Sequence, residues 1–376
     1  MNKKLIASAM GLVMAGGMGL ANADVKLYGQ LDVSLNATDS DVKSSTSATK
    51  AAEESQTGNS YQDDINMKSN TSAVGVKGSE DLGNGLSAFF KVEWQADVVN
   101  GGSFKGRDQY LGLKMERFGK LTFGTTSTAY KSPGSKIDAF YRTPVEMRAT
   151  GLQSNLHSGK GEKGQGRGTN MVRYDSPKMS GFGLTGTYQF DSNKQGTNVE
   201  DDDPYSIGLT YKGGNLFAAA TYISTQQNDD AEAAQFLVRY TMDAFSVHGI
   251  YELDQGLITA QGNNGINQSS GNLGRKGTAK DDGADIWSVG GTYTIGNNLV
   301  GVDYGQRSDS KGVDGIDQSN AAAGSAYDDI QEYDVWRIAA YHKFSKRTRV
   351  YAGYANTDYE DKGEDDVFAL GMRHKF

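Results

Sequence analysis

The residues able to do bond chemistry are few, and their spacing does not suit it. The chain has no cysteine and four histidines, His157, His248, His342 and His374. Without thiols there is no disulfide and no thiolate chemistry. No two histidines have zinc spacing. Glu252 follows His248 by four residues, too far for direct contact along one extended strand. No serine–histidine–acid arrangement is legible. Gly159–Gly164 fits the spacing of a dinucleotide loop, but no strand–helix context surrounds it, so it reads as flexible loop. Asp314, Asp317 and the acidic runs lack the calcium-loop pattern; bridging lipopolysaccharide phosphates through divalent cations is the metal chemistry open to them. The reading is therefore a non-enzyme with no cofactor and no metal site. What remains is charge placed by periodicity. Lys91 stands between Phe90 and Val92, and Arg173 between Val172 and Tyr174. In a strand, both bases face away from those apolar neighbours.

The elements that position such charges are strands. Asp365–Phe376 alternates Phe368, Leu370, Met372, His374 and Phe376 with Val367, Ala369, Gly371, Arg373 and Lys375. One side is apolar or aromatic, and the other is small and then basic. Val25–Leu35 alternates in the same way, with Val25, Leu27, Leu31, Val33 and Leu35 against Lys26, Gln30, Asp32 and Ser34. Pairing these two segments closes a barrel and removes its edges. Alternation recurs in Leu86–Trp94, Leu184–Phe190, Tyr205–Tyr211, Trp287–Ile295 and Val300–Tyr304. The face opposite the apolar residues mixes Gly, Thr and charge, which suits a wet lumen better than a packed core.

Sixteen strand-like segments are legible, and their connections alternate in length. Short ones fall at Gly83-Asn84, Phe118-Gly119, Ser180-Gly181, Gly213-Gly214, Asp243-Ala244, Gly296-Asn297 and Ser345-Lys346. Long polar ones fall near 38–64, 97–106, 127–168, 191–203, 225–232, 254–283, 308–331 and 357–364. The expected fold is all-β: a transmembrane antiparallel β-barrel of 16 strands, with short periplasmic turns and long extracellular loops.

Met1–Ala23 reads as an export signal. Lys3 and Lys4 precede an apolar middle, and Ala21-Asn22-Ala23 fits the cleavage pattern. The expected mature chain is one domain, 24–376, exported through the periplasm. Its charge is acidic, since removing Lys3 and Lys4 from 38 basic and 46 acidic residues leaves 36 against 46. That balance excludes nucleic acid as a partner class. The 49 glycines, 20 tyrosines and only 4 prolines favour sheet over helix.

Several stretches in sequence order resemble the general (non-specific) porins of Gram-negative outer membranes, of the 16-stranded trimeric type. They are Val25-Lys26-Leu27-Tyr28-Gly29, Gly75–Gly85, Asn170–Pro177, Phe344–Thr348 with Tyr351–Tyr354, and Gly371–Phe376. The resemblance implies a water-filled channel for passive diffusion of small hydrophilic solutes and ions. It also implies a homotrimer in outer-membrane lipid and lipopolysaccharide, with the third long loop folded inside as a constriction. By count that loop is 127–168, carrying Asp138, Arg142, Glu146 and Arg148. Wall bases are expected opposite its acids: Arg107 by its match to the family, and Lys91 and Arg173 by alternation. The family often has Arg where this chain has Ala73 and Thr125. With those two bases absent and Asp138 and Glu146 present, the expectation is a mild preference for cations. Alternatives are a solute-specific channel, or a plugged surface barrel acting as adhesin or phage receptor.

Overall fold

The computed structural model describes residues 24–41, 64–102, 104–161, 165–190, 203–225, 231–260, 285–308, 332–360 and 363–376. The export signal, most of the loops at 38–64, 191–203, 254–283 and 308–331, and Asp314 and Asp317 lie outside these residues, as does part of the Gly159–Gly164 stretch.

Inside-out patterning makes the architecture. Side chains at alternate positions along each strand are large, apolar and exposed: Leu27, Leu31 and Leu35; Ile207 and Leu209; Phe236 and Val238; Val300 and Val302; Trp336 and Ile338; Phe368, Leu370 and Met372. Between them lie buried polar groups such as Asp32, Ser34, Asn36, Glu93, Gln235, Glu252, Asp303 and Arg337. A strand with apolar groups outside and polar groups inside is stable when lipid covers the outside and the sheet is closed. No helix among the described residues is long and apolar enough to cross a membrane; the crossing is made by strands.

Eighteen strand segments form one continuous sheet. Asp64–Ser69 and Ala73–Gly83 both pair with the first strand, Asp24–Ser40, and are two halves of one wall strand. Thr71, at φ 53°, marks the break between them. Lys160–Gly161 is a two-residue piece within a loop. The wall is therefore a closed antiparallel barrel of 16 strands. Closure is direct: the first strand pairs with the last, Gly363–Lys375, from Gln30↔Lys375 to Ser40↔Asp365. Beyond it, Gly29 and Phe376 exchange both backbone hydrogen bonds at 3.1 Å. The short turns fall where the sequence places them, and Asn84, Gly119, Ser180, Gly181, Gly214, Asp243 and Gly296 all take positive φ there. Such angles suit tight hairpins between twisted strands.

Candidate functional site: the constriction of the lumen

Between the strands Gly119–Ser127 and Arg167–Asp175 the chain leaves the wall and folds into the barrel. Its described residues hold short helical turns, Lys131–Gly134, Met147–Thr150 and Asn155–His157, besides the two-residue strand Lys160–Gly161. Its apolar side chains meet buried apolar residues of the wall. Tyr130 and Leu156 pack with Ile223, Ala233 and Ile286. Met147 and Leu152 pack with Leu237, Ile250 and Val335, and Phe140 and Val145 pack with Ala339, Ala355 and Ala369. The loop thus lies against the wall built by the second half of the chain.

Glycines make the seat flat. A Cβ on Gly301 would stand 2.8 Å from the Phe140 ring, one on Gly305 3.0 Å from Leu152, and one on Gly353 2.7 Å from Val145. A side chain at such positions would force the facing loop residue to shift. Gly353→Val should push the loop off its seat and into the lumen, at an overpacking cost of about 1–3 kcal/mol. The expected readout is a lower single-channel conductance than wild type from a barrel that still folds; an unchanged conductance would refute the seat.

Two buried polar hubs fix the loop. Arg337, on the strand Tyr333–Lys343, reaches Asp303 Oδ2 at 2.7 Å and Asp138 Oδ1 at 3.0 Å, and donates to the Val145 carbonyl at 2.6 Å. His248 Nε2 lies 2.7 Å from the other Asp303 oxygen. Glu252 accepts from the Tyr130 hydroxyl at 2.7 Å and from the Ser154 amide and hydroxyl at 3.0 and 2.5 Å. His157 Nε2 lies 3.4 Å from Glu252 and 2.8 Å from Gln235 Nε2. At the loop's tip, Arg373 donates to the carbonyls of Tyr141 and Arg142.

The open side of the lumen is lined by charge. Arg107 Nε donates to Glu93 at 2.7 Å, Lys91 bridges Glu93 and Asp108 at 3.1 and 2.7 Å, and Arg167 holds Asp108 at 2.6 Å. Arg173 pairs with Asp175 at 2.6 Å and donates to the Ser127 carbonyl and the Ser132 hydroxyl. From the loop, Arg148 binds Glu146 at 2.7 Å. Arg142 and Arg167 are the like charges acting on Arg107. Lys131 is buried among Arg148, Arg167, Arg107 and Asp108 with no ion pair among the described residues.

Of the seven residues singled out in the sequence, Lys91, Arg107 and Arg173 stand on wall strands, and Asp138, Arg142, Glu146 and Arg148 lie in the inward-folded loop. Asp138 is turned onto Arg337, a wall base other than Lys91, Arg107 and Arg173. Glu146 is occupied by Arg148 and by the Arg142 amide at 2.6 Å. On the loop, Asp138 and Glu146 are buried, whereas Arg142 and Arg148 are half-buried. Arg167, Glu93, Asp108, Asp303 and Arg337 were missed, although the alternation that places Lys91 inward places each of them inward too. Lys131 has no such signal, being in irregular chain.

Residues 7–362 match the family described as Gram-negative porin. The chain belongs to that family. An outer membrane porin protein of Bordetella pertussis is 29% identical, with all of both chains covered. The major outer membrane protein P.IB of Neisseria sicca is 27% identical, again over all of both chains. Among solved structures, an anion-selective porin from Comamonas acidovorans aligns with a TM-score of 0.68 at 18% identity, covering 94% of this chain and 100% of that one. The porin described here is thus a protein of the cell outer membrane, with the same barrel as its structural neighbours.

Proposed function

We propose that this porin is an open, water-filled channel for passive diffusion of small hydrophilic solutes and ions, and that its constriction favours anions. It breaks no bonds. It excludes by size and sorts by field, and low-dielectric protein around a narrow aqueous gap strengthens that field relative to bulk water. Three copies assemble side by side, with lipid and lipopolysaccharide covering the remaining apolar belt.

The observation that carries the anion preference is the charge balance at the gap. Lys91, Arg107, Arg142, Arg148, Arg167 and Arg173 surround it with Glu93, Asp108, Glu146 and Asp175, and the buried Lys131 lies among them. Bases exceed acids, and Lys131 and Arg142 have no carboxylate partner among the described residues. The cation preference drawn from Asp138 and Glu146 gives way because each of these acids is held by an arginine. Loss of family bases at Ala73 and Thr125 is offset by bases from the loop itself. The Comamonas acidovorans chain shares only the fold at 18% identity, so the balance rests on this chain's own residues.

Lys131 provides the test. Burial, with Arg148, Arg167 and Arg107 alongside, holds its ammonium well below the ordinary lysine range. Arginines stay charged throughout. As pH rises through that lowered pKa, Lys131 loses its charge and the anion preference should fall, before ordinary lysines titrate. Lys131→Met should show the high-pH selectivity at every pH. A reversal potential with the same pH dependence in wild type and Lys131→Met would contradict the assignment.

A further inference from the structure

On the periplasmic side of the loop tip lies a second basic group, which shares Arg142 with the constriction. Its centre is Arg373, whose Nε donates to Asp32. Asp32 is fully engaged, since it also accepts from the Tyr351 hydroxyl at 2.7 Å and from Asn70 Nδ2 at 3.2 Å. Directly across the sheet from Arg373 stands Arg349, its register partner. Like charges set opposite each other on one face of a sheet repel. Arg349 has no ion pair among the described residues; its guanidinium lies 5.0 Å from the Tyr341 ring centre. Its Nε is shut away from solvent with no hydrogen-bond acceptor. Lys375 follows two residues after Arg373 on the same face, and Arg142, Arg349 and Arg373 all act on its charge. Neither Lys375 nor Arg142 has a carboxylate partner among the described residues.

Four cations share one saturated carboxylate, and Arg349, Lys375 and Arg142 have none of their own among the described residues, an arrangement that an anion completes. We propose that Arg349, Lys375 and Arg142 form a binding station for small multiply charged oxyanions, inorganic phosphate being the simplest, between the constriction and the periplasmic mouth. The planar guanidinium of Arg349 suits two oxygens of one anion, and Lys375 adds a mobile point charge. The station rests on the anion-favouring reading of the lumen and gives it a ligand class. A station below the narrowest point holds an entering oxyanion after it has passed the loop.

The test is block of chloride current by inorganic phosphate added to the periplasmic side at constant ionic strength, in wild type, Arg349→Met, Arg349→Lys and Lys375→Met. Phosphate should reduce the wild-type current. Its half-blocking concentration should rise about tenfold in Arg349→Met, from loss of one charged hydrogen-bond partner, and less in Arg349→Lys, which keeps the charge but not the fork. Should Arg349→Met fail to fold, Arg349→Lys and Lys375→Met carry the comparison. Absent block, or equal block in wild type and variants, overturns the station. The reversal potential of the same wild-type channels in a chloride gradient separates the two ideas. An anion-side potential without phosphate block removes the station alone, whereas a cation-side potential removes the anion reading beneath it.

Discussion

Replacing Arg337 by Met should release the tip of the loop and raise the single-channel conductance, with noisier open levels. Arg337 is only 1% exposed, and its whole hydrogen-bonding fork is used. It neutralises Asp303 of the wall and Asp138 of the loop, and it ties down the Val145 carbonyl. Asp138 in turn accepts from the amides of Phe140 and Met147 at 3.0 and 2.9 Å, so it also folds the tip upon itself. Methionine fills similar space but leaves the buried Asp138 without a cation and Asp303 with His248 alone. Removing one partner of such a pair costs about 3–5 kcal/mol, and undocking the loop to let water reach Asp138 is the readiest relief. The barrel ladder is untouched, so the protein should still fold and insert. Arg337→Lys keeps the charge but cannot hold three acceptors in one plane, and its conductance should fall between the two. Protease cleavage within 131–148 should rise in parallel with conductance. A Met variant with wild-type conductance and protease resistance would show that the loop is held by its apolar seat alone.

Glu252→Ala should have the second-largest effect, and on the other limb of the loop. Glu252 has no exposed surface and gathers Tyr130, Ser154 and His157. Alanine strands a tyrosine hydroxyl, a serine hydroxyl and a backbone amide inside the protein. Each unsatisfied group costs about 1–3 kcal/mol, and because they share one partner the costs do not simply add. About 3 kcal/mol or more of docking energy should be lost. This limb also carries the His157 carbonyl that accepts from Arg148 at 3.0 Å, so selectivity should shift together with conductance. Glu252→Gln retains a carbonyl acceptor and should be much milder. The outcome that would contradict the hub is Ala and Gln variants alike in both conductance and reversal potential.

The wall was legible in the sequence because a barrel writes its two solvents into alternate residues. Phe368, Leu370 and Met372 announce lipid, and the tight turns announce themselves through residues such as Asn84-Gly85 and Gly213-Gly214. The same rule set Lys91 and Arg173 inward, and it sets Arg337 and Asp303 inward as well. What alternation cannot state is which inward group a loop will meet. Asp138 and Arg337 stand 199 positions apart, and nothing in either neighbourhood names the other. The loop itself has no period, because it makes short turns and single contacts rather than strands. Its acids were therefore read as free to face the gap, whereas burial of Phe140, Val145 and Met147 rotates Asp138 toward the opposite wall. Lys131 was missed for the same reason. The seat glycines, Gly301, Gly305 and Gly353, are ordinary strand glycines in the sequence; only the approach of the loop gives them a role.

The measurement closest to the central claim is planar-bilayer recording of the wild-type protein with the reversal potential taken across a chloride gradient. An open porin whose gap holds more bases than acids should give large ohmic steps, closing in threes, and a potential of the sign set by the more permeant anion. A folded barrel that never conducts would contradict the open channel. Ohmic steps with a potential set by the cation would contradict the charge balance assigned to the constriction.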